Sequence, residues 1–408
     1  MVEYPLEEVT EGKTKVLVPD VEAFRKSSSS YPPSDAPVFY NKVMELNRDF
    51  ALATLRVYIA SLSKKENLLY CEPMAGSGIR AVRVANEIDN VSVLINDRNP
   101  QAVALIRENV MKLGLANKTS VHMEDASEIM IRHAASGNWF DVIDVDPFGS
   151  PSVFMDSAAQ AIGYNGFLAV TSTDMATMCG VYPKACIRKY ASKPIHSSIA
   201  HEVAVRMLLG FIATNLARQG KGTKPIFAHS TEHYIRVYVV AEKGITEAKE
   251  AMNTLGFIAH CQNCFAIESK QGVINTLSKL CPSCQNEQRV IGGPFWLGDL
   301  YNKQFVNRLK SEVEKNSSSY GSRKKMMKML LLIEEELEAQ NGGAGVCFYD
   351  LHQISDKLNI QSPKVQSIID ELQTAGFVAT RTHFRTNSIK TNAPIDKIVS
   401  TMKRVLNI

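Results

Sequence analysis

The chain has 408 residues, which at the usual ~150 residues per domain predicts two or three domains. An apolar fraction of 45% is ordinary for a globular protein with real cores, and no run approaches the ~20 apolar residues that a membrane span needs. The formal net charge of +4 neither demands nor excludes nucleic acid, and the opening MVEYPLEEVTEGK has neither the basic and apolar regions of a secretion signal nor the Arg-rich, acid-poor character of a transit peptide, so a soluble, cytoplasmic protein is expected.

Residues 26–37, rich in Ser and Pro, read as a mobile loop. Apolar positions at helical spacing (Val43, Leu46, Phe50, Leu52, Leu55, Val57, Ile59, Leu62) predict a helix over 41–63. Strands predicted at 68–73, 91–97, 120–125, 140–147 and 166–173 then alternate with helices at 78–88, 100–114, 126–135 and 151–163. A long helical stretch through 198–218 precedes a late strand within 231–243. This rhythm predicts an α/β fold: an open, mostly parallel, Rossmann-like sheet that binds its ligands at the carboxyl ends of the strands.

From about residue 246 the character changes. A Cys-rich stretch spans 255–292. Between Tyr301 and Lys328, eight basic residues are opposed only by Glu312 and Glu314. That region is either a solvated helix face or a stripe that meets phosphates. The segment 346–385 resembles a winged helix, set in a region of about 322–395. The expected organisation is a domain over 1–245 followed by a smaller α+β domain over 246–408 carrying a zinc ribbon.

The first predicted strand runs into Glu72-Pro73-Met74-Ala75-Gly76-Ser77-Gly78-Ile79-Arg80. Gly76 and Gly78 let backbone approach a ligand closely, with a helix starting beneath it. Asp97 closes the second strand, nineteen residues after Gly78, where an acid can bind both hydroxyls of a ribose. Glu124-Asp125-Ala126 closes the third and can accept from an adenine amino group, and Asp146 closes the fourth. Helix capping is the structural alternative for any one of these acids. NAD is a competing ligand, although Ala81 stands at the third glycine position of its fingerprint.

The fourth strand ends Asp146-Pro147-Phe148-Gly149-Ser150-Pro151, similar to the Asp-Pro-Pro-Tyr/Phe signature of methyltransferases that modify exocyclic amines. An amine conjugated with a base ring is a poor nucleophile. An acceptor on its N–H groups favours pyramidalisation and can take the proton, a task for Asp146. Pro147 stiffens the turn and Phe148 offers a stacking face. The donor already carries a sulfonium charge, so the task is mainly alignment.

Asp146–Pro151 stands in order with Phe39-Tyr40-Asn41, Asn47-Arg48-Asp49, Thr173-Asp174, Cys179-Gly180, Arg188-Lys189-Tyr190, His201-Glu202-Val203, Gly293–Gly298 and Arg381–Phe384. Together they resemble the tRNA guanine-26 N2,N2-dimethyltransferases of archaea and eukaryotes over most of the chain. The resemblance implies S-adenosylmethionine bound by Arg48, Arg80, Asp97, Asp125 and Ala126, with Arg48 reaching the methionine carboxylate. It also implies guanine N2 held by Asp146 and the flipped base sandwiched by Phe39 and Phe148, and it makes tRNA the partner. The departure at Pro73 and Met74 from the usual acid-x-Gly-x-Gly-x-Gly pattern leaves Glu72 less firmly placed than Asp97. The rivals are methylation of adenine N6 or another guanine, and a non-catalytic nucleic-acid-binding protein.

Cys261-x2-Cys264 and Cys281-x2-Cys284 enclose sixteen residues, a zinc-ribbon spacing in which four thiolates close a tetrahedral structural site. Cys71, Cys179, Cys186 and Cys347 read as small buried hydrophobes.

Overall fold

The computed structural model describes residues 2–27, 32–62, 67–231 and 233–408. An antiparallel hairpin comes first, β1 Leu6–Glu11 and β2 Thr14–Pro19, turning at Gly12. The expected loop at 26–37 lies partly outside the described residues; 32–35 form one helical turn. The helix predicted over 41–63 is Glu45–Ser61, entered through a 3-10 turn capped by Asn41.

A seven-stranded sheet follows: β3 Leu68–Glu72, β4 Val91–Asn96, β5 Thr119–His122, β6 Phe140–Val145, β7 Ile162–Ser172, β8 Lys221–Ser230 and β9 Ile235–Lys243. Their order in space is β5-β4-β3-β6-β7-β9-β8. The first five are parallel, while β9 runs antiparallel to both β7 and β8. The carboxyl ends of β3 and β6 adjoin where the strand order reverses, which is where such sheets bind ligands. Strands β3, β4 and β6 are apolar and buried almost throughout, as expected of strands covered on both faces.

Strand β8 and the N-terminal hairpin were not predicted. The β8 sequence, Lys221 to Ser230, contains Pro225 beside a register irregularity and has no clean alternation. It survives as a strand because it is the sheet's edge, where proline is tolerated.

Beyond the sheet, β10 Leu255–Cys261, β11 Ile267–Gln271 and β12 Arg289–Trp296 form a three-stranded antiparallel ribbon. The basic region becomes the helix Lys303–Lys315 and the start of Arg323–Asn341. Last come β13 Tyr349–Asp350, the helices Leu351–Leu358 and Val365–Thr374, β14 Ala379–Arg381 and β15 Ser388–Thr391, the winged-helix pattern, closed by the helix Ile395–Val405.

The expected division at residue 245 does not coincide with a break in the apolar core. The main core runs from the sheet through Phe295, Phe305, Leu309, Leu330 and Leu337 to Phe348. The helix 303–315 explains this: its apolar stripe (Phe305, Val306, Leu309, Val313) packs against the 45–61 helix. A second, smaller core (Leu351, Ile354, Ile368, Leu372, Ile389, Ile398, Met402) belongs to the winged-helix segment. Among the described residues, no helix is long and apolar enough to cross a membrane.

Candidate active site

The turn after β3 depends on its glycines. Gly76 and Gly78 lie at φ +56° and +72°, the left-handed region that side chains resist. A Cβ on Gly78 would stand 2.6 Å from Ile106 Cγ1. The Gly76 N–H donates to Asp97 Oδ2 at 2.7 Å, and Asn99 N–H donates to Asp97 Oδ1 at 2.8 Å. Asp97 is therefore fixed against the glycine turn, with one lone pair on each oxygen still available for a ribose hydroxyl. Asp125 caps the helix Ala126–Ala135, its Oδ1 accepting from Ser127 N–H at 2.8 Å and Glu128 N–H at 3.2 Å. It is exposed, and buried Ala126 opens the helix beside it.

Beneath the turn lies a buried charge cluster. Arg80 Nη1 donates to Asp144 Oδ1 at 2.7 Å, while Nη2 donates to Asn47 Oδ1 at 2.8 Å and to Asp146 Oδ2. Arg236 supports the same carboxylate from the other side, donating to Asp144 Oδ2 at 2.6 Å and to the Tyr238 hydroxyl at 2.8 Å. Glu72, the last residue of β3, is buried; its Oε2 accepts from Ala81 N–H at 2.9 Å. Burial pushes Asp146 up, but Arg80 and Arg236 outweigh it and hold the carboxyl below its ordinary value. For Glu72 burial wins, raising it to about 8 against the pull of Arg80, with Asp144 and Asp146 adding to the rise.

The resemblance assigned Arg80 to the cofactor; the structure places its guanidinium on Asp146, Asp144 and Asn47. Arg48 is also engaged. Its Nε donates to Glu11 Oε2 at 2.7 Å, its Nη2 to the other Glu11 oxygen and, at 3.1 Å, to the Asn41 carbonyl. The Tyr40 ring lies 5.4 Å from its guanidinium carbon. The segment Phe39-Tyr40-Asn41 thus spans from Arg48 to the glycine turn, where a Cβ on Gly76 would meet the Phe39 carbonyl at 3.4 Å. Phe39 and Phe148 touch edge to face, centroids 4.3 Å apart at 83°. The two predicted stacking residues are brought together, but with no gap between them for a base.

Asp144, Arg236 and Glu11 were missed. A signal existed: Asp144 interrupts the apolar run Phe140–Val145, and Arg236 stands in the equally apolar Ile235–Ala241. A charge within a buried strand must find a partner, so two opposite ones in one sheet point to each other.

The pattern suits a ligand that brings its own polar groups. Asn47 Nδ2, Arg80 Nε and the Tyr234 hydroxyl are buried without a hydrogen-bond partner among the described residues, an arrangement that costs free energy unless something completes it. With the Asp97-braced glycine turn, these donors and acceptors fit an adenosine-containing cofactor and a base.

In the segment beyond the sheet, the four cysteines of the two pairs converge, their sulfurs all within 4.8 Å of one another. Cys261 and Cys284 sulfurs are 3.7 Å apart, Cys264 and Cys281 3.6 Å. Tetrahedral zinc with bonds of about 2.3 Å sets sulfurs about 3.8 Å apart. Each pair sits in a matching turn: Phe265 N–H donates to the Cys261 carbonyl and Gln285 N–H to the Cys281 carbonyl, both at 2.8 Å. The set fits a structural zinc with no open position.

The strand order, the glycine turn braced by Asp97 and the Asp-Pro-Phe corner after β6 define a class I, Rossmann-like methyltransferase. A sequence profile of the family described as N2,N2-dimethylguanosine tRNA methyltransferase matches residues 12–403. The chain is 39% identical over 404 residues to a tRNA (guanine(26)-N(2))-dimethyltransferase of Methanobrevibacter smithii, covering 99% of this chain and 98% of that one. It is 38% identical over 392 residues to the protein of the same name from Methanothermobacter thermautotrophicus, covering 96% and 97%. Among solved structures, Trm1 from Pyrococcus horikoshii in complex with S-adenosyl-L-methionine superposes with a TM-score of 0.82 at 32% identity, over 97% of this chain and 100% of that chain. The chain belongs to the N2,N2-dimethylguanosine tRNA methyltransferase family.

Proposed function

We propose that Asp146 receives the N2 amine of the target guanine and that Arg80 fixes the carboxylate for it. The enzyme methylates N2 of guanine 26 in tRNA, with S-adenosylmethionine as donor. The observation that carries the assignment to Asp146 is the Arg80 fork, which ties this carboxylate to Asp144 and Asn47 at the strand-order switch. Bound S-adenosylmethionine supplies an electrophilic methyl group. Asp97 would take its ribose hydroxyls, with Gly76 and Gly78 keeping the approach open. Asp125 and the Ala126 amide would face its adenine, and Arg48, steadied by Glu11, its carboxylate.

Held below its ordinary value, Asp146 is ionised at neutral pH and accepts from the amine N–H. It is a weak base, so its main work is to orient the nitrogen lone pair and to stabilise the charge that grows on nitrogen as the methyl arrives; the strongly acidic N–H of the methylated cation then gives its proton to this carboxylate, which returns it to water. A base between Phe39 and Phe148 requires the rings to part from 4.3 Å to on the order of 7 Å, one stacking distance on each side. Phe148 is exposed and can turn aside.

For the tRNA body we infer a surface within residues 246–408. Ser322 N–H donates to Asp49 Oδ2 at 2.8 Å, and Arg83 Nη2 donates to the Ser319 carbonyl at 3.1 Å. These bonds hold the start of the 323–341 helix, with exposed Lys324, Lys325 and Lys328, beside the helix that carries Asn47 and Arg48. Phosphates met there would set affinity more than base choice.

Mass spectrometry of nucleosides from tRNA incubated with the enzyme tests the reading. N2,N2-dimethylguanosine should form at position 26, and Asp146→Ala should form none while its cofactor affinity stays within a few-fold. Equal loss of cofactor binding in the folded variant would remove Asp146 from its proposed place.

A further inference from the structure

The motif Arg188-Lys189-Tyr190 has no part in the chemistry above, yet the structure ties it to the catalytic corner. It ends the helix Pro183–Tyr190. The inner face of that helix is anchored: Cys186 and Tyr190 are buried, and the Tyr190 hydroxyl lies 3.4 Å from Ser172 Oγ at the end of β7. Ser172 Oγ in turn donates to the Gly149 carbonyl of the Asp146–Pro151 corner at 3.3 Å. The helix also packs against the turn Ser152–Phe154 that follows the corner. Its only acidic tie among the described residues is Lys189 Nζ to Asp174 Oδ2 at 2.6 Å.

The outer face is what a folded protein normally avoids. Tyr182 is 58% exposed, Val181 52% and Ile187 49%, with Val153 at 73% on the neighbouring turn. Tyr182 is not a loose end: its carbonyl accepts from Cys186 N–H at 3.0 Å, so the ring is presented from an ordered backbone. Lys184 and Arg188 stand among these groups, exposed and without an acidic partner among the described residues. Residues 175–201 hold four Lys or Arg and no acid. An exposed aromatic ring next to a helix carrying cations without acidic partners among the described residues is the composition that grips single-stranded nucleic acid: the ring stacks on a base and the cations meet phosphates.

We propose that this face, Tyr182 with Lys184 and Arg188, is a second tRNA-binding surface that holds the strand next to the extruded guanine. It rests on the placement of that guanine at Asp146. Continuity supports the occupant, since Phe148, 70% exposed, projects from the same corner that Tyr190 buttresses. A flipped guanine leaves its neighbours unstacked, and an unstacked base beside the corner gains most from a ring that is already in place. This surface belongs to the catalytic half of the chain, separate from the basic helix start at 323–328. The tRNA would then be held by two separate segments of the chain.

The test measures binding of unmodified tRNA at several salt concentrations, with cofactor affinity in the same proteins. Tyr182→Ala should weaken tRNA binding about tenfold, the usual worth of one stacked base, whereas Tyr182→Phe should stay within about twofold. Lys184→Ser with Arg188→Ser should lower the slope of log affinity against log salt by roughly 1.5, two phosphate contacts. Cofactor affinity should not move in any of them. Wild-type tRNA affinity in Tyr182→Ala overturns the proposal, as does a Tyr182→Phe variant as weak as Tyr182→Ala. A variant that instead changes the oligomeric state while binding tRNA normally also overturns it, assigning the face to a second copy of the chain. The result is separable from the Asp146 assignment, because binding is read without turnover.

Discussion

At neutral pH the buried cluster around Arg80 should hold one proton that a carboxylate ordinarily loses, and it should sit on Glu72. Three carboxylates (Glu72, Asp144, Asp146) face two guanidiniums (Arg80, Arg236), which donate to the aspartates, while Arg80 Nη1 lies 3.6 Å from Glu72 Oε1. With Glu72 protonated the cluster is neutral; ionised, it would leave an unpaired charge out of water. The group rises from 4.5 to about 8, chiefly through burial. Between those two values the folded state keeps a proton that the unfolded state has released. Stability must therefore fall as pH rises through that window, by about 1.4 kcal/mol per unit and on the order of 5 kcal/mol in total. Glu72→Gln retains an oxygen for the Ala81 N–H and cannot ionise, so it should lack this slope. Urea unfolding of both proteins at pH 5, 6.5 and 8 would show it: the variant gains on the wild type at each step. A stability difference that is flat across this range would mean that Glu72 is ionised and that the charge count is wrong.

Asp97→Ala should weaken S-adenosylmethionine binding by ~2–4 kcal/mol, the loss of two hydrogen bonds to a charged acceptor; calorimetry showing wild-type affinity would sink the ribose role. Purified protein should contain about one zinc per chain, and Cys281→Ser with Cys284→Ser should lose it; full zinc content in that variant would refute the site. Neutralising Lys324, Lys325 and Lys328 together with Arg323 should weaken tRNA binding and flatten its salt dependence without touching cofactor affinity. If affinity and slope are both unchanged, those side chains form only a solvated helix face.

The strands β3, β4, β6 and β7 were legible because they are largely buried and read as short, mostly apolar runs, whereas β5, at the sheet edge, was marked mainly by its place in the alternation. Two of the helices between them begin where their caps stand: Asn99 and Asp125 accept from the first-turn amides of the two helices they precede. Less legible was whatever depends on a partner remote in sequence. Glu11 sits in a short hairpin with a weak pattern, and nothing near it announces that it will meet Arg48 and Arg83. The family resemblance places Arg80 with the cofactor residues, and its contacts with the aspartates were not legible beside it. Its direction is decided by Asp144, 64 positions away in the chain. The cysteine pairs were legible without any fold, because metal coordination fixes its own spacing. Composition changes near residue 245, but composition does not reveal that the 303–315 helix returns to pack on the 45–61 helix.

The geometry of Asp146 also bears on why two methyl groups can be added at one place. Each transfer removes a single N–H from the amine, and a carboxylate that accepts from N–H needs only one to hold the nitrogen. The monomethylated guanine still offers one, so it can occupy the same position against the same acceptor, with its lone pair oriented by the same bond. The dimethylated guanine offers none. In the proposed placement the proton displaced at each transfer passes from the methylated nitrogen to Asp146 and on to solvent; facing the ionised carboxylate again, a dimethylated N2 brings no donor, and the carboxylate is left without the partner it had before. On the proposed placement, the ion pairs from Arg80 and Arg236 favour the return of Asp146 to its charged form after each transfer, and a charged acceptor binds a nitrogen that carries hydrogen and loses its hold on one that no longer does.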